Sequence, residues 1–165
     1  MFIKIKMNKL KSLFGSVAQG VKKMSPSGVK QSKIFVAYEQ KNYDEMVRIA
    51  SKMSAQEFLA QCRVEDLTLL HKIALDDNLP AMMTLSQLSF IHDIVNDGEN
   101  TDGWTPLLTA ASLSGKTNLQ MINLLVKLGA NLKAQKHDGM TILHMAASTN
   151  DIQLIDFVLS NTDDK

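Results

Sequence analysis

Four histidines, a single cysteine and a Ser-Gly-Lys-Thr run are the residues of this 165-residue chain whose types could carry chemistry. His92 and His137 are each followed by an acid, Asp93 and Asp138. An imidazole beside a carboxylate can move protons, but sequence neighbours seldom face one another, so the pairs do not form a relay. Metal binding would need His-x3-His or paired-cysteine spacing, and neither occurs. Cys62 stands next to Arg63, which would favour the thiolate; an inert, buried thiol is the stronger reading. In Ser114-Gly-Lys-Thr117 the first glycine of a phosphate loop would fall at Ala110, and no strand precedes it. No catalytic, cofactor or metal site is expected, and the chain does not read as an enzyme. His71 and His144 remain, and they occupy the same place in a recurring motif.

That recurrence organises the chain. Asp66-Leu-Thr-Leu-Leu-His-Lys-Ile-Ala74, Asp102-Gly-Trp-Thr-Pro-Leu-Leu-Thr-Ala-Ala111 and Asp138-Gly-Met-Thr-Ile-Leu-His-Met-Ala-Ala147 align on Thr68, Thr105 and Thr141. A weaker copy, Ile34-Phe-Val-Ala-Tyr-Glu-Gln40, places Ala37 before Ile73 at the same spacing. A fixed period of this length marks stacked supersecondary units. The copies resemble the ankyrin repeat, which opens Asp-Gly-x-Thr-Pro-Leu-His-x-Ala-Ala and closes Leu-Leu-x-x-Gly-Ala-Asp. The third copy resembles it most, through Asp102-Gly103, Thr105-Pro106-Leu107, Ala110-Ala111, Leu124-Leu125 and Gly129-Ala130-Asn131. The resemblance spans roughly residues 33–160. Extra length beyond the usual period is expected in turns or hairpins near Ser112–Asn118 and Ser89–Gly98, where added residues cost little.

The residue types explain the pattern. Asp-Gly before Thr105 and Thr141 supplies a tight turn with positive φ. Thr105 and Thr141 are placed as helix N-caps, with Pro106 at the first helical position. The second helices carry wide apolar faces, Met121, Ile122, Leu124, Leu125 and Leu128 in one, Ile152, Leu154, Ile155, Val158 and Leu159 in the next. One unit cannot bury such a face alone, but stacked units can. Gly129 reads as a helix C-terminal glycine. The expected fold is all-α: an α-solenoid of stacked helix pairs with projecting β-hairpin-like loops over residues 33–165. For His71 and His144 the resemblance implies hydrogen bonds that tie adjacent hairpins to helix starts. Leu108 takes that place in the third copy, so one such bond is missing there.

The two ends differ in charge. Residues 1–38 hold eight lysines and no acid, which leaves a net of −7 on the remainder. Within the arm (residues 1–32), Ile3, Met7, Leu10, Phe14, Val17, Val21 and Met24 recur at alternating spacings of four and three, giving an amphipathic helix. It ends at Ser25-Pro-Ser-Gly28. Three readings stay open: packing on the first repeat or a neighbouring protein, a targeting segment, or contact with an anionic membrane. In the last, Lys4, Lys6, Lys9, Lys11, Lys22 and Lys23 would face the headgroups with Phe14 inserted, each lysine worth on the order of 1 kcal/mol. At the other end the fourth copy stops before its closing turn with a helix apolar on more than one side. Either further repeats follow it, the favoured expectation, or this edge docks on a partner.

No run of 18 apolar residues is present, and no Asn-x-Ser/Thr site; with one cysteine this points to a cytoplasmic setting, with peripheral membrane contact as a variant. The lysine arm lacks an aromatic ladder, so nucleic acid is a poor candidate partner. The function implied by the resemblance is a non-enzymatic scaffold or adaptor holding a protein through hairpin tips and the concave face of the first helices. Carried onto this chain, that surface comprises Asn100, Trp104, Thr109 and Ser112 in the third copy. In the fourth it comprises His137, Met140, Met145, Ser148 and Thr149. Trp104 is either a contact residue at a solvent-facing position or a residue packed against a neighbouring hairpin. The rival function is a regulatory ankyrin module at the N-terminus of a larger membrane protein of channel or acyltransferase type.

Overall fold

The computed structural model describes residues 32–64, 67–97, 102–113 and 118–162. The lysine-rich arm, Asn100 and the Ser-Gly-Lys-Thr run lie outside the described residues, apart from Ser32 at the arm's end. The described chain is a succession of short helices. The first copy of the repeat forms α1 (Lys33–Glu39), α2 (Tyr43–Ala50) and α3 (Ala55–Gln61). Next comes a two-residue hairpin, β1 (Arg63–Val64) with β2 (Leu67–Thr68), antiparallel with Arg63 opposite Thr68. The second copy gives α4 (Leu69–Leu75), α5 (Leu79–Leu85) and α6 (Ile91–Ile94); the third gives α7 (Pro106–Ala111) and α8 (Leu119–Lys127). The fourth gives α9 (Ile142–Thr149) and α10 (Ile152–Thr162).

Caps set the boundaries. Thr105 accepts from the Leu108 N–H at the start of α7, and Asn42 and Asn78 do the same for α2 and α5. Between first and second helices the chain reverses through left-handed residues, Lys41, Asp77 and Asn150, with φ of 57°, 51° and 54°. Such a conformation costs a non-glycine residue roughly 1–2 kcal/mol. The stack persists because packing outweighs that cost. First helices pack on first helices (α4 on α7, α7 on α9), second on second (α2 on α5, α5 on α8), and each pair closes on itself. The core along this axis includes Phe35, Met46, Leu70, Ile73, Met82, Leu107, Leu108, Ile122, Leu125, Met145 and Leu154, all within 2% of full burial.

Two features depart from the expected helix pairs. The surplus at Ser89–Gly98 is no hairpin: it carries α6, whose Ile91, Ile94 and Val95 are buried. The first copy has a corresponding third helix, α3, started by a Ser54–Glu57 capping box. α3 packs on α6, with the Phe58 and Phe90 rings 5.4 Å apart. An Arg63–Asp97 ion pair at 2.8 Å closes the same side. Three apolar residues in five made helix the cheaper way to bury this insertion. In the last copy, Leu154 and Val158 are buried as expected, but Ile152 is 58% and Leu159 44% exposed.

Candidate functional site

The hairpin tips and helix starts are tied by one repeated device. The Nδ1 of His71 accepts from the Thr68 N–H at 3.2 Å and lies 2.8 Å from Thr68 Oγ1. Its Nε2 lies 2.8 Å from the Trp104 carbonyl oxygen, one repeat on. A carbonyl can only accept, so Nε2 carries the proton and the ring is neutral. Burial pushes the His71 pKa down to about 4, opposed by the bond to the Trp104 carbonyl. This histidine is a structural pin.

Trp104 is where the structure corrects the solvent-facing reading. It is 4% exposed, and the Lys136 ammonium, itself buried, lies 4.6 Å from its ring centroid. Lys136 also reaches the Asp138 carboxylate at 2.8 Å. Gly103, at φ +72°, lets the next hairpin approach: a Cβ there would lie 2.8 Å from His137 Cδ2 and 2.9 Å from its backbone nitrogen. The His137 N–H donates to the Asp102 carbonyl at 3.2 Å. The tips of the third and fourth copies are thus packed on each other, with Trp104 beneath the later one.

Three more of the expected contact residues are interior. Thr109 is fully buried and its hydroxyl donates to the Thr105 carbonyl at 2.9 Å. Ser112, 1% exposed, donates to the Thr109 carbonyl, and Met145, also 1% exposed, belongs to the core. Their small or flexible side chains turn into the helix row because neighbouring first helices close over them. Of the expected surface, His137 and Ser148 are exposed and Met140 and Thr149 half-buried. These four lie on the last hairpin and the last first-helix.

The other reactive side chains are held in structural roles. His92 Nδ1 lies 3.0 Å from the Leu128 carbonyl, capping the end of α8 from the preceding repeat. Asn96 takes the neighbouring groups, donating to the Gly129 carbonyl at 2.8 Å and accepting from the Asn131 N–H at 2.7 Å. The sequence reading missed this bracket; an Asn one turn after an apolar run was its only signal. Burial pushes the Cys62 thiol up to about 12, so it is not the activated thiolate that Arg63 would have favoured. Lys72 bonds Asp76, which accepts from the Tyr38 hydroxyl at 2.7 Å. Desolvation, reinforced by that bond, raises the Tyr38 pKa. Among the described residues no group of three His, Cys, Asp or Glu side chains could hold a metal. No described helix is long and apolar enough to cross a membrane.

Helix pairs stacked in register, tied by hairpin-to-helix bonds, define a repeat solenoid that acts through its surface. The family model for ankyrin repeats, in three copies, matches residues 70–165, and the chain belongs to that family. Repeats of this family are in general protein–protein interaction modules and typically non-enzymatic. No curated protein matches the sequence.

Proposed function

We propose that the chain is a scaffold or adaptor of the cytoplasm that binds a protein partner through the last hairpin and the C-terminal end of α9. The observation that supports this is the division of the expected surface. Trp104, Thr109, Ser112 and Met145 are used up inside the stack, whereas His137 and Ser148 are exposed and Met140 and Thr149 half-buried. These four mix an imidazole, a thioether and two hydroxyls, which suits adaptable contact with a polypeptide better than chemistry on a small molecule. Fold alone does not select the partner.

The test is affinity capture with the full chain against a Met140→Asp/Ser148→Arg variant. Ser148 is exposed but Met140 is half-buried against the core, so the unfolding midpoint of the variant is measured beside the capture. Loss of a specific captured protein with the fold intact supports this surface. Unchanged capture removes it.

A further inference from the structure

Every residue of α4 is buried, none more than 6% exposed, and so are all residues of α7 and Ser112 after it. Successive helix residues point about 100° apart, so such a run looks in every direction. A helix with one open side does not show this pattern. α4 packs on α5 beneath it and α7 after it, and meets α1 before it through the Tyr38–Asp76 hydrogen bond and the Lys72–Glu39 ion pair. α7 packs on α8 beneath, α4 before and α9 after. These neighbours account for three sides. The fourth is turned away from the second helices. The repeat pattern puts Thr109, Ser112 and Met145 there, and the alignment of Thr68 with Thr105 adds Lys72 and Leu75. All five are buried, whereas Ser148, one copy after Ser112, is exposed, so the cover ends in the fourth copy.

We propose that the chain's own lysine-rich arm lies along this side of the first-helix row, with the helix predicted over residues 3–24 crossing from the first copy to the fourth. Chain continuity sets the starting point. The arm ends at Ser32, the N-cap of α1, and the caps Thr68, Thr105 and Thr141 start the other first helices on the same edge of the stack. The length fits: first helices about 8–10 Å apart make a row of four roughly 30 Å across, and a helix over residues 3–24 is about 33 Å long. Residues 25–31, at up to about 23 Å, suffice to turn from that edge onto the row. The chemistry fits as well. The apolar stripe from Ile3 to Met24 rests on Leu75, Met145 and the Thr109 methyl, and the lysines beside it face acids on both edges. Asp97, Asp102 and Asp138 line the hairpin edge; Glu39, Asp76 and Asp77 stand where the first helices end. The nearby bases Arg63, Lys72 and Lys136 each pair with one of these acids. The arm has no acid of its own, and the remainder of the chain is strongly acidic. An arm committed to a membrane surface would leave this side of α4 and α7 open to water.

Carbodiimide cross-linking of the full chain, read by mass spectrometry, maps the arm. Lys22 and Lys23 join Asp76 or Asp77, and Lys4 and Lys6 join Asp138; in a mixture of isotope-labelled and unlabelled chains these links stay within one molecule. A second measurement probes the covered floor. Ser112→Cys is nearly isosteric, and the introduced thiol reacts slowly with maleimide in the otherwise unchanged chain. Adding Leu10→Asp and Phe14→Asp, which break the apolar stripe, speeds it about tenfold or more, while the buried Cys62 keeps its rate. A slow thiol in both chains shows that the stack alone covers the floor, and a fast one in both shows the floor uncovered; either overturns the proposal. Arm lysines joined to other acids, or only between molecules, overturn it too. If Cys62 also reacts faster, the variant has loosened the fold and the cross-link map of the parent decides alone. Failure here leaves the adaptor reading standing, since that rests on the last hairpin and the exposed end of α9.

Discussion

Trp104→Ala separates a packing tryptophan from a binding one. The indole is 4% exposed, so nearly all of its roughly 250 Å2 is removed from water. At about 25 cal/mol per Å2 that burial sets an upper figure near 6 kcal/mol; truncations of this kind cost about 3–5 kcal/mol in practice. Of this, about 0.5–2 kcal/mol belongs to the Lys136 ammonium 4.6 Å from the ring centroid. The main-chain carbonyl that accepts the His71 hydrogen bond survives the substitution, so the loss is one of packing between hairpins. Urea denaturation followed by circular dichroism measures it, with a Trp104→Ala/Lys136→Met double-mutant cycle isolating the cation–ring part. In the parent, the sole tryptophan reports the same transition by fluorescence. A loss below about 1 kcal/mol would falsify the packing argument and return Trp104 to the candidates for partner contact.

The buried His71 sets an acid limit. Its folded pKa, about 4, lies below the ordinary value of 6.5, so the unfolded chain takes up the proton first. Stability is then fully present above pH 6.5 and falls as the pH drops toward 4; at about 1.4 kcal/mol per unit, roughly 2 kcal/mol is gone by pH 5. Denaturation midpoints across that range check it, and His71→Leu, which copies the third repeat's Leu108, should be less stable at pH 7 but show a flatter profile. Gly103 and Gly139 form a matched pair with φ of +72° and +80°. Gly139→Ala meets nothing within 4 Å and costs only the left-handed conformation, about 1–2 kcal/mol. Gly103→Ala adds a clash with the His137 backbone and should be clearly the worse; equal thermal midpoints for the two variants would show that the hairpins do not approach as closely as described.

The repeat was legible because its signals are local. Asp-Gly turns, threonine caps and Pro106 each fix backbone geometry within a few residues, and caps, turns and stacking order fell where those residues placed them. What misled was the accessibility of individual side chains. Trp104 occupies a position that faces solvent only if the next hairpin stands clear of it, and whether it does depends on Lys136 and Gly103, one of them 32 residues away. Thr109 and Ser112 were misplaced for a related reason: a hydroxyl that bonds its own helix loses its need for water, so a neighbour can close over it. The α6 insertion shows the limit from the other side. Its apolar content was visible, but its helical form depends on Phe58 of the previous copy being there to receive it.

The fourth copy obeys the same rule. An interior repeat presents one face to its predecessor and one to its successor, and its histidine is satisfied only by the successor's main chain. In the fourth copy the first half of that arrangement is complete, with Thr141 fixing the ring, while the second half faces outward beside Leu143 and Leu159. A purely terminal layer would replace those residues with charges. The last described layer instead keeps an interior-type residue there, with Leu143 36% exposed. Leu143 stands exposed at the place where Leu70 and Leu107 are buried by the layer that follows them.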